Sequence, residues 1–85
     1  MDLVRSERFK KDFKRLDRTM QDRVLAALEK LVANPRHPSL HVKKMEGTHD
    51  IRELRVSDNH RITYQHGKDS IILRRVGAHD IIGRP

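Results

Sequence analysis

With 85 residues and no cysteine, the chain reads as one small domain, 1–85, without disulfides or thiolate chemistry, and a cell interior suits it. Its formal net charge of +7 points to nucleic acid, an acidic protein, or both as counterparts. No apolar run approaches the roughly 20 residues of a membrane span, and the charged start MDLVRSERFKK lacks the apolar stretch of an export signal, so a cytoplasmic protein without membrane contact is expected.

Residues 2–5, DLVR, form a short strand candidate. Ser6 caps the helix that follows, in which Phe9, Phe13 and Leu16 recur at helical spacing with Lys and Arg on the other side. Asp17 to Thr19 breaks that pattern. Thr19 with Asp22 resembles a capping box with a shorter acid and predicts a second helix from about Met20 to Ala33. Its apolar stripe is Met20, Val24, Leu28 and Leu31, widened by Leu25, Ala27 and Val32. Asn34-Pro35 ends it, so two antiparallel helices are expected. A loop with two prolines leads to a short extended piece around Leu40 to Met45 and a turn at Gly47 to Asp50. Three strands follow, Ile51–Val56, His60–His66 and Ser70–Val76, joined by Ser57-Asp58-Asn59 and Gly67-Lys68-Asp69. The order is β-α-α-β-β-β.

Alternation sorts the faces. Leu54 and Val56 point one way, Glu53 and Arg55 the other; Ile62 and Tyr64 oppose Arg61, Thr63 and Gln65. The apolar set must meet the helices, which leaves Arg55 and Arg61 on the open face. Further cations, His60, His66, Arg74, Arg75 and His79, crowd the same segment.

The stretch NPRHPSLHVKKMEGTHDIRELRVSDNHRITYQ, followed by a Gly-bearing turn and IILRRVGAHD, resembles the RelE/ParE superfamily of bacterial toxins. The branch is RelE-like, with the YafQ and YoeB types as relatives. The resemblance implies an α+β fold: a small, twisted, mainly antiparallel sheet with two N-terminal helices on one face. It also implies the toxin of a type II toxin-antitoxin system, a ribosome-dependent endoribonuclease that cuts messenger RNA. An acidic cognate antitoxin would silence it, and operator DNA would be reached only through that antitoxin.

Metal-free RNA cleavage uses the substrate's own 2′-OH as nucleophile. A base takes its proton, cations stabilise the phosphorane-like transition state, and an acid protonates the departing 5′ oxygen. His79 is the expected acid, since an imidazole gains and loses a proton near neutrality; it stands where the YafQ and YoeB types keep a catalytic His and RelE an Arg. Asp80 would orient it. Arg55 and Arg61 are the phosphate-binding candidates, because guanidinium forks match phosphate oxygens. Arg55 falls where RelE keeps a catalytic Arg, and Arg61 matches one of the YoeB type. Lys43 completes the catalytic set as base or phosphate neutraliser, and Lys44, His60, His41, Arg74 and Arg75 are expected RNA contacts.

Each has a plainer alternative: His79 as a turn histidine, Arg55 or Arg61 paired with Glu53 or another cross-strand acid. His41 or His60 could serve as base instead. The six histidines form no metal-ligand spacing, so no metal or cofactor is expected. The Tyr in the C-terminal helix of RelE has no counterpart in IIGRP, so that end of the site is expected to be built differently. Two other activities fit the same pattern: a ParE-like inhibitor of DNA gyrase, and a basic nucleic-acid-binding module without catalysis.

Overall fold

Ser6 ends the first strand and starts the first helix. Its Oγ accepts from the Phe9 N–H (3.1 Å) and donates to the Arg74 carbonyl (2.9 Å), so it caps the helix and pins it to the last strand. The computed structural model describes residues 2–45, 47 and 50–78. In chain order they form β1 (Asp2–Arg5), α1 (Glu7–Lys14), α2 (Arg18–Ala33), a 3-10 turn at Pro38–Leu40, β2 (Lys43–Lys44), β3 (Ile51–Arg55), β4 (His60–His66) and β5 (Ser70–Ala78).

The expected α+β architecture holds, with local differences. Asp17 caps α2, its Oδ1 accepting from the Met20 N–H at 2.8 Å. Thr19 and Asp22 therefore lie inside the first turns, where Asp22 meets Arg18 at 3.2 Å instead of closing a capping box. The extended piece shrinks to β2, because Pro38 begins a 3-10 turn that drives Leu40 into the core. β5 runs to Ala78, past the expected Val76.

The five strands lie in the order β1-β5-β4-β3-β2. β1 runs parallel to β5, and the other pairings are antiparallel. One face is apolar: Leu54, Ile62, Tyr64, Ile71, Leu73 and Val76 meet Phe9, Val24, Ala27, Leu28 and Leu31 of the helices, with Leu40 closing one end. Fully burying a Val, Leu, Ile or Phe side chain of this set stabilises the fold by about 1.5–3 kcal/mol.

β1 stops with Arg5 opposite Leu73, while β5 continues. α1 covers the edge beyond that point. Asp12 accepts from the Val76 N–H (3.2 Å) and from the Arg75 guanidinium (2.7 and 3.1 Å). A bulge lies beside it: the register steps from Thr63↔Arg75 to Tyr64↔Leu73, leaving Arg74 between paired positions.

Candidate active site

Register builds the open face row by row, because directly paired residues share a face. One row is Lys43–Glu53–Thr63–Arg75. The next is Arg55–Arg61–Gly77. Arg55 and Arg61 are therefore direct cross-strand neighbours, in a geometry where paired Cβ atoms lie roughly 5 Å apart. Two like charges at that spacing destabilise a sheet unless something answers them. No described residue gives the Arg55 side chain a hydrogen bond or ion pair. It sits at the β3 edge beyond the end of β2, bordering a cavity of about 220 Å³ with Arg23 and Lys30 of α2.

Arg61 is anchored. Its Nη1 donates to the carbonyls of Ser57 (2.6 Å), His60 (3.0 Å) and Asp58 (3.1 Å), bracing the β3–β4 turn. The guanidinium keeps further donors, so its place in the row is set by the turn it holds. His60 belongs to the same turn, with Nδ1 at 3.1 Å from Ser57 Oγ.

Lys43 is fixed from below. Its ammonium lies 3.1 Å from Glu53 Oε1; the lysine side chain is 70% exposed and the glutamate 5%. The ammonium stands one row from Arg55 and Arg61, and its partner is the residue that the sequence suggests only as a pairing acid. Glu53 Oε2 and Thr63 Oγ1 are buried without a hydrogen-bond partner among the described residues. The cue was present in the pattern: an acid on the cationic face of a strand, alternating with Arg55.

The remaining expected contacts do not converge on the Arg55–Arg61 row. Arg75 gives its fork to Asp12 and is 16% exposed. That hydrogen bond holds its pKa above the ordinary arginine value, burial working the other way. Arg74 donates to Gln65 Oε1 at 2.6 Å. Lys44 pairs with Arg52, one residue out of phase with Lys43, and so belongs to the opposite face. His41 lies past the 3-10 turn on that side, in a cavity with Arg52 and Tyr64. His79 and Asp80 lie outside the described residues.

A family model described as the ParE toxin of type II toxin-antitoxin system, parDE, matches residues 3–82. The chain belongs to that family. Solved structures of toxins share the fold. RelE of the RelB-RelE antitoxin-toxin complex from Methanococcus jannaschii is 27% identical, with 94% of each chain covered and a TM-score of 0.77. YafQ from Escherichia coli gives 16% identity, coverage of 95% of this chain and 96% of the other, and a TM-score of 0.80. The YoeB/ParE toxin from Agrobacterium tumefaciens gives 18% identity, 93% and 99% coverage, and a TM-score of 0.79; these last two are likenesses of fold alone. Comparison with curated proteins finds no match. The toxin is thus a member of the RelE/ParE superfamily, and its helices lie on the face opposite the cationic row. No described helix is long and apolar enough to cross a membrane.

Proposed function

We propose that this toxin is a metal-independent endoribonuclease that cuts messenger RNA on the ribosome in the cytoplasm. The observation that carries the reading is the Arg55–Arg61 pair, with the ammonium of Lys43 one row away. Fixed cations gathered on one face suit a scissile phosphate, whose charge increases in the transition state. In this reading the 2′-OH loses its proton and attacks phosphorus, the P–O5′ bond breaks, and the 5′ oxygen takes a proton. Arg55 and Arg61 hold the phosphate oxygens and Lys43 adds a third cation. His79, which directly follows the last residue of β5, is the proposed proton donor, with Asp80 orienting it.

Induction in bacteria followed by primer extension on a translated transcript tests this. Cuts inside codons that require translation, lost in Arg55→Ala and His79→Ala, are expected. A second reading, inhibition of DNA gyrase without nuclease chemistry, is favoured by the ParE family match. It predicts growth arrest with DNA damage, intact transcripts and no dependence on His79.

The proposed partner is an acidic antitoxin. Its support is a groove of about 370 Å³ between α1 and α2, with Phe9, Phe13, Leu25 and Leu28 as an apolar floor and Arg5, Lys10, Lys11 and Lys14 among its rim. Apolar floor and basic rim suit an amphipathic segment carrying Asp and Glu. Co-expression with the neighbouring gene is expected to yield a stable complex, weakened by Leu25→Asp.

A further inference from the structure

A second cationic cavity lies at the other end of β3 and on the other face of the sheet. It measures about 570 Å³ and is lined by Arg36, His37, His41, Arg52, Tyr64 and His66 with Pro35, Pro38 and Val42. No carboxylate among the described residues lines it, and Arg52 and His66 also border a neighbouring cavity of about 220 Å³ with Asp50 and Lys44. Arg52 is three residues from Arg55 on β3, about 10 Å away at ordinary strand rise, and points oppositely by alternation. The guanidinium groups of Arg36 and Arg52 make no hydrogen bond or ion pair with a described residue. Among the described residues this cavity therefore has two arginines with unengaged donors and no acid in its own lining.

The histidines are arranged by their surroundings. His37 Nδ1 accepts from the Ser39 N–H at 3.2 Å and lies 2.8 Å from Ser39 Oγ. An Nδ1 that accepts carries no proton, which leaves the Nε2–H of His37 as its remaining donor. His41 adopts the left-handed conformation, φ 46° and ψ 48°, a region that non-glycine residues occupy at a cost and often at ligand sites. His66 lies edge-on to Tyr64, ring centroids 5.8 Å apart. Burial raises the Tyr64 pKa and the Arg52 charge partly offsets that rise, which reports the guanidinium near the phenol.

We infer that this cavity binds a phosphate group of an RNA chain, gripped by Arg36 and Arg52, with His37, His41 and His66 as hydrogen-bonding walls. Forked donors without internal acceptors match phosphate oxygens. The cavity's place, across the sheet from the Arg55–Arg61 row, makes it a second foothold, holding RNA where no cleavage occurs. It deepens the RNA-directed reading and rests on it for the identity of the ligand.

The test is a salt titration of binding to a single-stranded RNA made uncleavable by 2′-O-methylation. Wild type is compared with Arg36→Gln/Arg52→Gln, and with Arg8→Gln/Arg15→Gln as a charge-matched control on α1 and its C-terminal cap. Loss of the one phosphate that the two arginines neutralise lowers the slope of log K against log salt by about 0.7, so the cavity variant loses about 2.6-fold less affinity between 50 and 200 mM salt than wild type. The histidine ring signals of wild type, followed by proton NMR with inorganic phosphate, are expected to shift saturably, and the shifts to vanish in the cavity variant. A slope equal to wild type, or a control variant with the same reduction, overturns the inference. Cleavage assays on the same proteins separate the two readings. A slope difference without cleavage leaves the foothold standing and removes the nuclease; cleavage with no slope difference does the reverse.

Discussion

β3 and β5 each carry two arginines, and the two strands use them in opposite ways. On β5, Arg75 is locked to Asp12 and Arg74 to Gln65. On β3, neither Arg52 nor Arg55 has a side-chain hydrogen bond or ion pair with a described residue, and each lines a cationic cavity. The residue type is the same and the charge is the same. What differs is whether the fold supplies an acceptor, and only an arginine without one has its fork left for a ligand.

The sharpest way to break this contrast is Asp12→Ala. It takes the carboxylate from the largely buried Arg75 guanidinium and leaves the Val76 N–H without its acceptor. Chemical denaturation is expected to show a loss of about 3–5 kcal/mol, and Asp12→Asn a smaller one. A loss below about 1 kcal/mol would mean that β5 does not depend on the pair.

Arg55→Ala probes the other side. Stability is expected to stay within about 0.5 kcal/mol of wild type, while codon-dependent cleavage falls by roughly 10²-fold, as for other donors aimed at transition-state charge. Unchanged cleavage would remove Arg55 from the site.

Arg61 stands between the two classes, since it braces a turn and faces the row. Arg61→Ala is therefore expected to lower stability by about 1–2 kcal/mol and to lower cleavage too, measured on protein still folded at the assay temperature. Full stability with lost cleavage would strip it of the bracing role.

The smallest effect concerns pH. Tyr64 is the sole tyrosine of a chain without tryptophan, so its ionisation is readable by ultraviolet absorbance. Burial raises its pKa above the ordinary 10.0. A phenol that ionises later in the folded state than in the unfolded one leaves stability untouched below the unfolded value. It withdraws stability as pH climbs from there toward the folded value. Stability is expected to decline above pH 10.0 in wild type and to decline less in Tyr64→Phe.

Much of the fold was written in periodicity. The stripe of Val24, Leu28 and Leu31 and the alternation of Leu54, Ile62 and Tyr64 specify which surfaces meet, and the same alternation puts Arg55 beside Arg61. Asp12 was not legible. Within KKDFK it reads as one more polar residue of a solvated helix face, and its burial depends on a strand 63 positions away. The bulge at Arg74 has no glycine or proline to mark it, so alternation alone could not tell the bound arginines of β5 from the unbound ones of β3. Lys43 and Lys44 look interchangeable in sequence. Pairing with Glu53 and Arg52 separates them, and that pairing is set by a register the sequence does not display.

The parallel union of β1 with β5 has a consequence for how the molecule comes into being. Among the described residues β1 has no other strand beside it, and α1 leans on the same neighbour through Ser6 and Asp12. β1 and α1 therefore wait, during synthesis, for a strand that begins 68 residues after Asp2. Such wide sequence separation slows closure, since a long loop must be ordered before the contact rewards it. A translation product halted before residue 70 would lack the strand that β1 pairs with, and with it the anchors that Ser6 and Asp12 find there.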